Sequence, residues 1–328
     1  MIAGFCLLLL HTSCLAQSSL ESGTPWITYK GATGPGKGRH IVLISGDEEY
    51  RSEEALPALG RLLSEQHGFD CTVLFAIDQE NGTINPTVTD HIPGLHLLEN
   101  ADLMILFTRF RNLPAEQMAY IENYLKEGKP ILALRTATHA FHYPEESPYF
   151  KYSYNSHVPG WEGGFGKRIL GETWISHHGD HGKEGTLTIN ANSDHPILRG
   201  VEPIWVPTDV YTTEPPANAT ILLLGQPTRG MEPNSPINQE KPPMPVAWTK
   251  IYDVPDGKPG KVFTSTMGSS VDLLDENFRR LLVNATFWAA GIEEQIQSDL
   301  SVSLSDRFQP TMFGFGTYIK NMTPEDKK

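Results

Sequence analysis

Residues 40–75 read HIVLISGDEEYRSEEALPALGRLLSEQHGFDCTVLF, and this stretch decides the fold. His40 to Ser45 is an apolar, β-branched run that ends at Gly46, and Asp70 to Phe75 is a second such run. Between them, leucines recur at helical spacing as far as His67-Gly68, where glycine is typical of a helix end. The stretch predicts a strand, a helix and a second strand, which together form the repeating unit of a parallel sheet.

The same alternation continues downstream. Ala101 to Phe107 and Pro130 to Leu134 are apolar runs, and the helix predicted between them begins at Pro114 and ends at Gly128. Continuous apolar strands need cover on both faces. The sequence therefore predicts an α/β protein whose parallel sheet has helices on both sides.

The pattern changes after Phe141. Residues 142–171 are rich in Gly, Pro, Tyr and Ser and indicate an inserted loop region over one end of the sheet. A final helix is predicted near Asp275 to Ala290, and the remaining residues form a tail that is either draped over the domain or mobile. Shorter strands are predicted at Thr173–Ser176, Gly185–Ile189, Thr220–Gly225, Val246–Tyr252 and Lys261–Thr264.

The N-terminus resembles an export signal. Leu7 to Leu10 form the centre of a short apolar run, and Cys14 and Ala16 place small residues at −3 and −1 of a cleavage site before Gln17. An alternative is a lipid anchor through Cys14. The predicted organisation is a signal peptide at 1–16, an extended lead-in at 17–38, the main domain at 39–291 and a C-terminal tail at 292–328. We expect an exported protein, periplasmic or extracellular, without an integral membrane span.

Composition excludes some functions. The net charge of −13 leaves no basic stripe for phosphates, which argues against a nucleic-acid partner. With the signal removed, Cys71 would stand alone in a predicted strand, so neither a disulfide framework nor thiol catalysis is expected. The sequence has no P-loop, no G-x-G-x-x-G after the first strand and no G-x-S-x-G elbow. A homo-oligomer remains open.

Polar loops follow three of the predicted strands. Ligands of open α/β sheets bind beyond the carboxyl ends of the strands, so Glu49, Arg109 and His139 are predicted substrate-binding residues. Arginine there suits an anion or the hydroxyl groups of a sugar. The alternative is that Arg109 and Arg111 pair with the acidic residues at 47–49.

A histidine cluster at residues 177–181 is the densest group of candidate residues. Histidine serves both as a metal ligand and in acid–base chemistry. The spacing matches no standard zinc motif, so His178, Asp180 and His181 are only candidate ligands for a divalent metal. A solvated loop is the alternative.

Two more segments could complete the site. Asp209 and Tyr211 would face the same way in an extended segment. Trp248 offers a flat side chain that suits a sugar ring, although packing in the core is the alternative for this residue.

Several segments together resemble the ThuA-like family, which is named for trehalose utilisation. The opening residues 47–51 and the segment 313–316 are similar to exported planctomycete-type members. The resemblance covers roughly residues 40–291 and rests on 135–141, 171–177, 194–197, 209–211, 245–249, 260–263 and 267–268.

The resemblance implies a class I glutamine-amidotransferase-like, flavodoxin-type sheet. True amidotransferases of this class carry a nucleophilic cysteine in the turn after the fourth strand, where this sequence has Arg135-Thr136-Ala137. Glutamine hydrolysis by a thiol is therefore excluded. Other ThuA-like proteins have a histidine at the position of Arg135, so a general base is not carried over to it.

The resemblance also implies a carbohydrate-type substrate, including a 3-keto disaccharide or a related sugar. His177 would be the acid–base residue, Asp209 its orienting carboxylate and Arg135 the group that polarises a substrate oxygen. Three hypotheses stay open at this point: an isomerase, lyase or hydrolase acting on a sugar, a non-catalytic carbohydrate-binding protein, and a metal-dependent hydrolase centred on the histidine cluster.

Overall fold

A computed structural model describes residues 23–328. The predicted signal peptide, with Cys14, lies outside the described residues. Part of the predicted lead-in forms a strand, β1 (Trp26–Tyr29), which pairs antiparallel with the strand β3 (Asp70–Leu74). Among residues 23–328, no helix is both long and apolar enough to cross a membrane.

The core of the fold is one ten-stranded sheet with the order β1-β3-β2-β4-β5-β10-β9-β8-β6-β7. The five strands β3, β2, β4, β5 and β10 are parallel to one another, and the strands on either side are antiparallel to their neighbours. The remaining strands are β2 (His40–Gly46), β4 (Leu103–Thr108), β5 (Ile131–Leu134), β6 (Thr186–Asn190), β7 (Trp205–Val206), β8 (Thr220–Pro227), β9 (Met244–Tyr252) and β10 (Gly260–Ser265).

Helices cover both faces of the sheet, as predicted. The helices α1 (Ser52–His67) and α3 (Glu276–Ala289) pack on one face, and α2 (Ala115–Lys126) packs on the other. The two faces have separate apolar clusters because alternate side chains of each strand point to opposite sides. Gly68, at φ 80°, ends α1 and leads directly into β3.

The strand predicted at Thr173–Ser176 is wrong. Residues 173–176 form no strand: the isolated bridge nearby joins the next residue, His177, to Tyr211, and Ile175 is exposed. Backbone bonds from Thr212 N to Ser176 O and from His178 N to Val210 O, each 2.9 Å, pair this segment too briefly for a strand. The short strand β7 was not predicted, because two residues are too few to give a period.

The inserted region and the tail both pack on the domain. Apolar side chains of residues 142–171 join the cluster on the α2 face. The tail continues that role on the opposite face, where Ile296 and Val302 are buried and Phe308 and Phe313 pack against the cluster formed with α1 and α3. Of the two alternatives for the tail, the structure therefore shows the draped one.

Candidate active site

The candidate site lies at the carboxyl ends of the parallel strands. Three loops at this edge hold a residue other than glycine in the left-handed region, namely Arg51 (φ 62°), Phe110 (φ 51°) and Arg135 (φ 44°). Only five such residues occur in residues 23–328. Strained backbone of this kind is held in place by its surroundings and tends to cluster at functional sites.

Asp209 is the centre of the cluster. Its carboxylate accepts hydrogen bonds from Arg135 (Nη2 to Oδ1, 2.7 Å), His177 (Nδ1 to Oδ2, 2.7 Å) and His181 (Nδ1 to Oδ1, 3.2 Å). The side chain is fully buried. Burial alone would raise the pKa of this carboxyl, but the charge of Arg135 and the histidine hydrogen bonds outweigh it and hold the pKa well below its usual range. Asp209 is therefore a fixed anion.

Arg135 is buried beneath the cluster. Its guanidinium also donates to the carbonyl oxygens of Asp209 and Thr266, each at 2.7 Å, and to the hydroxyl of Tyr50 at 3.1 Å. The rings of Tyr211 and Tyr50 lie 3.9 and 4.5 Å from its central carbon. Since the side chain has no exposed surface, Arg135 holds Asp209 in place and does not present its charge to a ligand. Its position does not fit the predicted role of polarising a substrate oxygen.

His181 bridges two carboxylates. Its Nδ1 donates to Asp209, and its Nε2 lies 3.0 Å from Oε1 of Glu49. An ionised carboxylate only accepts hydrogen bonds, so both ring nitrogens must carry a proton. In agreement, the hydrogen bonds to Asp209 and Glu49 raise the pKa of His181 to about 9. His181 is thus a cation at the surface of the site, and Glu49 is one of its anchors.

His177 has the geometry of an acid–base residue. Its Nδ1–H is donated to Asp209, so the lone pair of the neutral ring lies on Nε2. Within the part of the chain that the structure describes, this Nε2 makes no hydrogen bond, and 32% of the side chain is exposed. The ring lies 4.6 Å from that of His181 and 5.9 Å from Trp174, centroid to centroid.

The groups that could hold a metal share only His181 with the predicted candidates. His177, His181 and Asp209 each offer a ligand atom, and these atoms lie within 4.8 Å of one another. The predicted His178 and Asp180 point elsewhere: His178 Nε2 donates to the Pro242 carbonyl, and Asp180 pairs with Lys241. Asp209 already accepts three hydrogen bonds, and both ring nitrogens of His181 already donate to carboxylates, so a metal would have to displace these protons. The donor set therefore favours hydrogen bonding over metal binding.

Four of the five predicted substrate-binding residues are buried, including Glu49, which is 4% exposed. Trp248 has no exposed surface and its Nε1 donates to the Leu170 carbonyl at 2.7 Å, so the core alternative describes it. Tyr211 is 2% exposed and stacks on Arg135. His139 is 3% exposed, and burial, followed by the charges of Arg109 and Arg135, holds its pKa well below the usual value.

Arg109 pairs with an acidic residue, as its alternative interpretation predicted. Its guanidinium contacts Glu48, which also accepts from Arg111 at 3.3 Å. Arg109 nevertheless keeps part of its side chain exposed and lies over the ring of Phe110. Of the predicted substrate-binding residues, Arg109 is the one that stays partly exposed at the rim of the site.

Three residues near the cluster were not predicted to belong to it. Tyr50 lies between Arg135 and His181, Trp174 contacts His177, and Phe313 of the tail lies 5.2 Å from the ring of Tyr50. Tyr50 belongs to the same strand-end loop as Glu49, so the position of that loop could have indicated it. No periodicity could have indicated Phe313.

Comparison with known proteins agrees with the fold. A family model described as ThuA, trehalose utilisation, matches residues 40–289. A ThuA-like protein from Parabacteroides merdae is 15% identical, with a TM-score of 0.50 over 85% of this chain and 98% of that chain. A ThuA-like protein from Bacteroides uniformis is also 15% identical, with a TM-score of 0.47 over 79% and 93%. No curated protein matches the chain.

Proposed function

The chain belongs to the ThuA family, and from this premise we propose that it is an enzyme that acts on a carbohydrate-type small molecule by proton transfer at His177. The family description, trehalose utilisation, supports a sugar as the substrate class. A 3-keto disaccharide fits this proposal because its carbonyl makes the neighbouring C–H bond acidic. Export from the cytoplasm is part of the proposal and rests on the first sixteen residues of the sequence.

One observation carries the proposal: His177 donates Nδ1–H to a buried carboxylate, while its partly exposed ring keeps an Nε2 that makes no hydrogen bond to residues 23–328. A histidine held in this way has a fixed tautomer and orientation, and the carboxylate stabilises the imidazolium that forms when Nε2 takes a proton. Arg135 keeps Asp209 ionised and immobile. These features describe a general base with a positioning residue behind it.

In the proposed step, Nε2 of His177 removes a proton from the carbon next to the substrate carbonyl. The electron pair of the C–H bond forms a C=C bond to the carbonyl carbon, and the π pair of the C=O bond moves to the oxygen, which gives an enolate. His181 is the nearest fixed cation, held by Asp209 and Glu49, and would stabilise this negative charge. In an isomerase, the hydroxyl proton of the deprotonated carbon then moves to the enolate oxygen, and His177 returns its proton to the former carbonyl carbon. In a lyase, the enolate breaks the bond to a leaving group on the carbon beyond the deprotonated one, and His177 gives its proton to that leaving group.

The residues leave no role for a thiol. Cys71 is the single cysteine in residues 23–328, and it is buried in β3. Burial raises the pKa of its thiol further above neutrality. The turn after β5 holds Arg135, not a nucleophile. Glutamine hydrolysis is therefore not part of the proposal.

The test uses purified protein, trehalose and 3-keto-trehalose. Exchange of the protons next to the carbonyl for deuterium is followed by NMR in D2O, together with product formation. We expect the protein to catalyse exchange in the 3-keto sugar, and His177→Gln to slow it by about 10²-fold or more. His178→Gln is the matched control and should leave the rate unchanged, since its Nε2 is engaged by Pro242.

Three outcomes contradict the proposal. Unchanged exchange by His177→Gln would remove His177 as the base. Binding of the sugar without exchange would favour a non-catalytic binding protein. A second candidate function, metal-dependent hydrolysis, is favoured by the proximity of His177, His181 and Asp209. A stoichiometric metal found by elemental analysis, with activity lost on chelation, would support that function instead.

A further inference from the structure

The C-terminal tail crosses the candidate site. The amide of Gly314 donates to the Glu49 carbonyl at 2.8 Å, and Arg51 donates to the Gly314 carbonyl at 2.7 Å. Thr311 donates both its amide and its hydroxyl to the carboxylate of Glu54, each at 2.8 Å. These contacts fix residues 311–314 against the loop that follows β2 and carries Glu49 and Tyr50.

Two phenylalanines of the tail face groups of the site. The ring of Phe313 lies 5.2 Å from Tyr50 and 6.1 Å from His181, centroid to centroid. The ring of Phe315 lies 4.9 Å from the guanidinium carbon of Arg109 and is 56% exposed. A single exposed phenylalanine is ordinary on a protein surface, but this one packs against the guanidinium of Arg109 at the rim of the site.

The tail closes a circuit of neighbouring side chains at the site. The two ends of this circuit are Phe313 and Phe315, and the tail backbone joins them. From Phe313 the circuit passes to His181 and then to His177. It continues through Trp174 to His139, and the ring centroids of successive members are 4.6–6.1 Å apart. It returns through Phe110, 5.1 Å from His139, and Arg109, 4.4 Å from the Phe110 ring, to Phe315. Without residues 313–315 the circuit is open on one side.

We propose that this tail segment is a wall of the active site, and that Phe313 and Phe315 bind the apolar face of a sugar ring next to the one that reacts at His177. The wall lies outside residues 40–289, the part matched by the family model, so the family description does not include it. Aromatic rings suit the C–H face of a sugar, and the charges of Arg109 and His181 suit its hydroxyl groups. The sugar-binding part of this proposal rests on the function proposed above.

The wall itself is tested without any ligand. Hydroxyl-radical footprinting with mass spectrometry measures the oxidation rate of Tyr50, which is fully buried beneath Phe313 in the intact protein. We expect Phe313→Ala to raise this rate severalfold. Ile319→Ala is the matched control, because Ile319 is an exposed apolar residue of the same tail that lies outside the circuit. Equal oxidation rates of Tyr50 in the two variants would overturn the proposal that the tail forms a wall of the site.

The sugar contact is tested by turnover of 3-keto-trehalose. We expect Phe315→Ala to raise KM by about tenfold, equivalent to about 1.4 kcal/mol, while kcat changes little because the proton-transfer groups are untouched. An unchanged KM would overturn the contact. If the wild-type protein neither binds nor turns over the sugar, the proposed function fails together with the sugar contact, whereas the footprinting result still decides the wall.

Discussion

Two carboxylates in this molecule are equally buried but have opposite surroundings. Asp209, at the edge of the sheet, accepts hydrogen bonds from Arg135, His177 and His181. Glu53, in the first turn of α1, has two buried oxygens that find no hydrogen-bond partner within residues 23–328. Burial raises the pKa of Glu53 to about 7, whereas the pKa of Asp209 is lowered despite its burial. The difference comes first from the buried positive charge of Arg135 beside Asp209, and then from the hydrogen bonds of its two histidines.

The two carboxylates also differ in whether the protein requires their negative charge. The anion of Asp209 is required if His177 is to keep one tautomer, so the protein supplies a buried arginine to hold it. Glu53 has no such support and can stay protonated at neutral pH. Variants that change the charge at either residue test this difference between Asp209 and Glu53.

The largest effect is expected from Asp209→Asn. This variant keeps the shape of the side chain but leaves the buried cation Arg135 without its counter-charge, so the free energy of unfolding should fall by about 3–5 kcal/mol. Urea unfolding at pH 7 measures it. Asp180→Asn is the control, since this exposed residue pairs only with Lys241, and its stability should not change measurably. An Asp209→Asn protein as stable as wild type would show that Arg135 does not depend on the carboxylate.

The next largest effect is the coupling free energy between Arg135 and Asp209, which is measured by removing both charges together. In Arg135→Met with Asp209→Asn, no buried ion remains unpaired, so the loss of unfolding free energy should be less than the sum of the two single losses by about 1–3 kcal/mol. A matched cycle on the exposed pair Arg168 and Asp253 should give about 0.5 kcal/mol or less. Additive losses at Arg135 and Asp209 would mean that the two side chains act independently.

The sequence allowed most of the fold to be predicted. The parallel strands are continuous apolar runs, and the helices between them end at glycines, so both signals are local. The antiparallel half of the sheet was harder to predict. The bridge between His177 and Tyr211, for example, joins segments that are far apart in the sequence. A pairing of that length leaves no period in the sequence.

The candidate site was predictable in part, for a similar reason. Residues directly after parallel strands, such as Glu49 and Arg135, must meet at one edge, and the structure brings them together with His177 and Asp209. The burial of Arg135 could not be predicted, because it depends on the rings of Tyr50 and Tyr211 on either side of it. Charged residues at a strand end usually face water.

The smallest effect is expected from Glu53→Gln, and it depends on pH. The pKa of Glu53 is higher in the folded chain, about 7, than its ordinary value of about 4.5. Its stabilising contribution is therefore complete below pH 4.5 and is lost as the pH rises through 7. The variant does not ionise, so it should gain stability relative to wild type across this window, on the order of 1 kcal/mol at pH 8. A cavity of about 270 Å³ beside Glu53 limits the gain, because water there can solvate the ionised form.

Thermal unfolding of both proteins between pH 5 and pH 8 measures this gain. The neighbouring Glu54→Gln is the matched control, and it should lose stability at pH 8, because the two Glu54 oxygens accept the amide and the hydroxyl of Thr311. If Glu53→Gln instead follows the wild-type curve at every pH, Glu53 has a donor when it ionises. Its contrast with Asp209 would then rest on the buried charge of Arg135, and not on an absence of donors at Glu53.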